Sequence, residues 1–114
     1  MFIINFTQAL KNSLNGLRLA WKKERAFRLE VVGCVCLSPF LFFIDAQRVD
    51  KLFVLFSLSL VLITELLNTA IEKANDAHKK TSDPLIQFSK DAGSAAVFVA
   101  LCLAGISLIN LWII

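Results

Sequence analysis

Apolar positions fall into three long uncharged runs parted by short polar stretches, and the charges mark where each run ends. Between Glu30 and Asp45 lie fourteen residues without charge, VVGCVCLSPFLFFI, and the apolar shoulder at Ala26 and Phe27 lengthens them into a short membrane helix over 27–45. The fourteen alone also fit a buried helix. Pro39 removes a backbone donor and allows a kink, a cost that neighbouring membrane helices absorb. Asp45, Arg48, Asp50 and Lys51 then crowd into an interfacial turn. A second run, 51–75, is uncharged from 52 to 64, is interrupted by Glu65 and resumes to Ile71. A crossing takes about 20 residues, so Glu65 is expected within or just below the headgroup region. The stretch 73–91 is polar, and Asp83-Pro84 breaks the helix there. The last twenty-three residues carry no charge, which predicts a third span over 90–114.

Ahead of these runs, Phe6, Leu10, Leu14, Leu17 and Trp21 recur at helical spacing, with Lys11, Asn15, Arg18, Lys22 and Arg25 on the opposite face. The apolar five cover about 80° of the wheel at 100° per residue. That division predicts an interfacial helix over 5–26 on the cytoplasmic membrane surface. A helix packed into a protein groove is the competing reading.

Composition narrows the class. Of 114 residues, 57% are hydrophobic and 18% charged, against about 45–50% and about 25% in soluble domains. A single domain over 1–114 of this size cannot hide so much apolar surface, which excludes a soluble monomer. The same numbers exclude a disordered chain. The net charge is +3, and the basic residues lie beside apolar runs rather than on one polar surface, so no nucleic-acid partner is expected. Lys11, Arg18, Lys22, Lys23, Arg25 and Arg28 precede the first span and Lys73, Lys79, Lys80 and Lys90 lie between the second and third, while only Arg48 and Lys51 occupy the first loop and none follows the last span. This alternation predicts a cytoplasmic N-terminus and a C-terminus on the far side. No inverted repeat is visible, which weakens a transporter. Cys34, Cys36 and Cys102 lie in apolar runs and read as small buried hydrophobes. No cleavable signal is expected, because charge interrupts the first thirty residues.

Candidate chemistry gathers on the second span. With Glu65 at 0°, Asn68 falls near −60°, Glu72 near −20° and Asp76 near +20°, so three carboxylates and an amide share one face and climb about 16 Å from membrane depth to water. An ionisable group inside the hydrocarbon is costly and marks a functional pathway, although pairing with a neighbouring helix is an alternative. Glu72, with a carboxylate from elsewhere such as Glu24, suits Mg²⁺ shared with substrate phosphates. Lys90 and Asp91, at the entry to the third span, fit a phosphate-neutralising and orienting pair or an ordinary helix-end charge pair. Gly93, Ser94, Ala95, Ala96, Ala100 and Ala104 allow close backbone approach, so the third span is expected to line the bundle seam. Three spans shield a polar ladder poorly, which points to a homo-oligomer. The chain holds no G-x-x-x-x-G-K-S/T or G-x-G-x-x-G loop, no G-x-S-x-G, and a single His78.

The stretches ELLNTAIEKANDA (65–77), KERAFRLE (23–30) and KDAGSAAV (90–97) together resemble the prokaryotic integral-membrane diacylglycerol kinases, a superfamily shared with the undecaprenol kinases. The likeness runs from Gly16 onward, and its GLRLAW, FRLE and DAGSAA stretches are closer to the diacylglycerol branch. It implies an all-α homotrimer in the bacterial cytoplasmic (inner) membrane, with composite sites that pass a phosphoryl group from MgATP to a lipid hydroxyl, giving phosphatidic acid. By the same resemblance Glu65 is the general base, and Glu24 and Glu72 bind the metal. Asn68, Asp76, Lys90 and Asp91 surround the nucleotide and reacting groups, and Arg18, Trp21, Arg28, Glu30 and Ser94 lie on the lipid side. Two departures fall on the nucleotide side: Asn5 stands where related chains often carry a basic residue, and Thr81, Ser82 and Asp83 replace a Glu-x-His element. An undecaprenol kinase is the near alternative. A small oligomeric channel or proton-linked transporter, with Glu65 as its ion site, is the alternative of another class.

Overall fold

The structure is a computed structural model that describes residues 2–78 and 83–113. Lys79, Lys80, Thr81 and Ser82, and with them most of the departure in the polar loop, lie outside the described residues. Among those described, the chain is all-helical: α1 (Phe2–Lys23), α2 (Arg25–Phe43), α3 (Arg48–Asp76) and α4 (Pro84–Ile113). The last three are each long and apolar enough to cross a membrane.

A single extended residue, Glu24 (φ −112°, ψ 110°), separates α1 from α2. The last carbonyls of a helix have no partner within it. Here the Glu24 N–H donates to the Ala20 carbonyl (2.9 Å), and Arg28 Nη1 reaches back from α2 to the carbonyls of Trp21 (2.9 Å) and Lys22 (3.1 Å). α2 continues through Pro39 to Phe43, because a proline costs a helix only the bond its own nitrogen would make and the clash beside it. Ser38 Oγ, one residue before, donates to the Cys34 carbonyl at 2.8 Å. Asp83 and Pro84, read in sequence as a helix breaker, act as a helix start: the Asp83 carboxylate accepts the Leu85 N–H at 2.8 Å, and proline suits the first helical position.

α3 and α4 run antiparallel and form the main interface. Val54 and Val61 of α3 meet Leu111, Ala104 and Ala100 of α4 in two buried clusters, the outer one joined by Leu41 of α2. Their spacings of four and seven residues keep each set on one stripe of its helix. Side chains without a large hydrophobic drive in lipid associate by close packing and hydrogen bonds. Among the described residues four polar bonds cross this seam: Asn110 Nδ2 to Asp50 Oδ1 (3.1 Å), Ser57 Oγ with Ser107 Oγ (2.9 Å), Asn75 Nδ2 to Ser89 Oγ (2.8 Å) and Lys90 Nζ to Asp76 Oδ1 (3.3 Å). Of the small residues on α4, Gly93, Ala100 and Ala104 line the seam, whereas Ser94, Ala95 and Ala96 are exposed. α2 packs on α3, α1 packs on α2, and Phe42, Phe43, Phe53, Phe56, Phe98 and Trp112 point outward.

Candidate functional site

The helical period sets Glu65, Asn68, Glu72 and Asp76 along one side of α3, and burial grades them. Glu65 is only 9% exposed, Asn68 and Glu72 are half-buried, and Asp76 is exposed. A buried carboxylate at membrane depth needs compensation from its surroundings. Other acids lie within electrostatic range of it. Glu65 feels the charges of Glu72 and of Glu24, and Glu30 on α2 in turn feels Glu65. Four carboxyl groups are thus gathered from α2, α3 and the α1–α2 break, although they are far apart in sequence.

Two basic groups temper this charge. Lys73 Nζ lies 3.4 Å from Glu24 Oε1, and Lys90 Nζ lies 3.3 Å from Asp76 Oδ1. Glu24 is free for this because, although it stands at the cap position of α2, it makes no side-chain capping bond. Lys90 therefore pairs across the helices with Asp76 and not with its neighbour Asp91, which accepts Gln87 Nε2 at 2.9 Å. Sequence reading took Lys73 only as a topology marker. Its position beside Glu72 was visible, but its reach to Glu24 follows from the packing of the helices.

Two buried oxygens in this region lack hydrogen-bond partners: Glu30 Oε2 and Asn68 Oδ1. Each such group costs about 1–3 kcal/mol, so it calls for an explanation. Asn68 Nδ2 donates to Glu72 Oε1 over a long 3.4 Å. Arg18, Trp21 and Ser94 are exposed, and Arg28 is engaged by the carbonyls at the end of α1. None of Phe6, Leu10, Leu14, Leu17 and Trp21 is buried against the rest of the chain.

An apolar cleft of ≈ 810 Å³ opens between α1 and α3, walled by Leu17, Leu19, Ala20, Leu66, Leu67 and Ala70. Lys23 and Lys73 also line it. Lys73 therefore joins the cleft to the acidic cluster.

The donor set fits a hard divalent cation of the Mg²⁺ kind. Glu24 and Glu72 offer carboxylate oxygens from two elements, and Glu24 already attracts an ammonium group. No three carboxylate, imidazole or thiol groups converge among the described residues. Mg²⁺ accepts one or two carboxylates with water and phosphate completing its shell.

These features define a small polytopic membrane protein with an acidic centre at the foot of one span, beside an apolar cleft. The model of the prokaryotic diacylglycerol kinase family matches residues 11–112. The chain is 40% identical to a diacylglycerol kinase of Haemophilus influenzae over 104 residues, covering 91% of this chain and 86% of the relative. It is 37% identical to one of Escherichia coli over 111 residues (94% and 91%), and 43% identical to one of Pseudomonas aeruginosa over 89 residues (78% and 72%). The chain belongs to the prokaryotic diacylglycerol kinase family. That membership decides for an enzyme over the pore that the residues alone left open.

Proposed function

We propose that the chain transfers the γ-phosphoryl group of ATP to the free hydroxyl of diacylglycerol, giving phosphatidic acid, on the cytoplasmic face of a bacterial inner membrane. The observation that carries this reading is the single face of α3 on which Glu65, Asn68, Glu72 and Asp76 run from a buried carboxylate to an exposed one, with Glu24 held close by the Lys73 pair. A lipid hydroxyl rises only to headgroup depth. Glu65 stands at that depth, and Glu72 is about 10 Å further toward water at ~1.5 Å per residue. The cleft between α1 and α3 offers an acyl chain an apolar wall that ends at Lys73.

Phosphoryl transfer depends mainly on positioning and on neutralising phosphate charge. Glu65 takes the proton of the lipid hydroxyl as that oxygen bonds to the γ-phosphorus. The bond from the γ-phosphorus to the β–γ bridging oxygen breaks, and ADP leaves. Mg²⁺, when bound, would neutralise the phosphate oxygens, and Glu24 and Glu72 would hold it. Asn68 orients Glu72. Lys90 exchanges Asp76 for phosphate, with Asp91 beside it. Arg18, Trp21, Glu30 and Ser94 face the lipid, and Arg28 fixes the end of α1 from which the lipid side is built. Three spans leave the acidic face open on one side, which supports a homo-oligomer with sites completed between subunits, and the family resemblance makes that oligomer a homotrimer.

The test is purified protein in mixed micelles with labelled ATP, offered diacylglycerol and undecaprenol in parallel. Label moves to diacylglycerol. Glu72→Gln abolishes the transfer while leaving the protein folded. Transfer by Glu72→Gln at the unmodified rate removes the metal role, and label on undecaprenol alone reassigns the acceptor.

A further inference from the structure

Of the chain's four glycines, Gly16, Gly33 and Gly105 face open space, whereas a Cβ on Gly93 would lie 2.5 Å from Asn68 Oδ1 and 3.3 Å from Ile71 Cδ1. A glycine in mid-helix is a poorer helix former than alanine, so its presence at a packed position calls for a local cause. The cause here is the Asn68 side chain. Its oxygen rests against the bare backbone of α4 and makes no hydrogen bond, and its nitrogen points along α3 to Glu72 Oε1. The reverse orientation of the amide would set its oxygen against the Glu72 carboxylate. The space at Gly93 thus accepts the amide oxygen, and the amide nitrogen is left to Glu72.

We infer that Gly93 is a positioning residue for the carboxylate of Glu72, acting through the Asn68 amide from the facing helix. This rests on the kinase reading above, in which Glu72 holds the divalent cation. A methyl group at position 93 drives the amide off its seat, and Glu72 loses the donor that orients it. Outer partners of metal ligands matter in this way because they fix the ligand's direction.

The experiment is direct binding of Mn²⁺, as a paramagnetic substitute for Mg²⁺, to the purified protein in detergent with a non-hydrolysable ATP analogue, read by electron paramagnetic resonance. Gly93→Ala weakens Mn²⁺ by about tenfold or more, the loss seen when an outer partner of a metal ligand is removed. Asn68→Ala, which creates no clash, weakens it equally. Gly93→Ala added to Asn68→Ala changes binding by less than about twofold, because the relay is already cut. Gly105→Ala, on the same helix in open space, leaves binding unchanged. The double variant keeps the test decisive even if Gly93→Ala alone unfolds. The relay is overturned if Gly93→Ala binds as the parent does, or if its effect is the same with and without Asn68. Loss of Mn²⁺ binding in Glu72→Gln beside normal binding in Gly93→Ala overturns the relay alone. Normal binding in Glu72→Gln overturns the metal reading with it.

Discussion

Arg28→Ala is expected to loosen the end of α1 before it affects any chemistry. Arg28 Nη1 supplies two charge-assisted bonds, to the carbonyls of Trp21 and Lys22, which no helical amide satisfies. A hydrogen bond to a charged group is worth about 1.5–3 kcal/mol. Both bonds are exposed to water, which replaces the missing donor once the side chain is gone, so the net loss is about 1–2 kcal/mol. A change of about 1.4 kcal/mol is tenfold in the opening equilibrium, so protection of the amides in the last turn of α1 against hydrogen exchange falls by about tenfold. Amides in the middle of α3 keep theirs. Arg28→Lys recovers part of the loss, since an ammonium group donates but lacks the planar fork of the guanidinium. With α1 loosened, its wall of the cleft is less well placed, and the lipid KM rises more than kcat falls. Full amide protection in Arg28→Ala, together with lost lipid phosphorylation, would refute the capping argument and put the guanidinium on the substrate.

Two further outcomes follow from the packing. Lys73→Gln removes a pair whose lysine is largely exposed, so stability measured by thermal unfolding in detergent changes by less than about 1 kcal/mol. Because the ammonium group competes for Glu24, the Mg²⁺ concentration for half-maximal activity should drop by about two- to fivefold, the equivalent of such a pair, and a rise would show that Lys73 helps to hold phosphate. Ala104→Leu forces extra methylenes into the seam against Val61 and should cost about 1–3 kcal/mol, while Ala96→Leu, exposed on the same helix, should cost little; equal losses would mean that the seam is not where the helices pack.

Much of the architecture was legible along the chain, because a spanning helix must satisfy its backbone within itself and cover its surface with apolar side chains. The three runs, the turn after Ile44 and the single face shared by Glu65, Asn68, Glu72 and Asp76 all follow from that requirement and from the period of 3.6 residues. The start of the third span was read less well: the uncharged run pointed to residue 90, and α4 begins at Pro84. Asp83-Pro84 signalled a break, and it is the start of α4, since the same dipeptide that cannot continue a helix is well suited to open one.

Periodicity ranks residues within one helix but carries no information about the distance between two. Glu24 and Glu30 come into range of Glu65 only through the sharp α1–α2 break and the packing of α2 on α3. In the same way, Lys90 could be seen next to Asp91, and its pairing with Asp76 depends on the antiparallel register of α3 and α4. The family resemblance put Arg28 on the lipid side, and the chain bend brings its guanidinium to the carbonyls of α1. Amino-acid order alone thus determined the helices, their faces and the acids on α3, because those depend on neighbours three and four positions away. Tertiary structure decided which charges meet, because contacts between helices are set by packing and register.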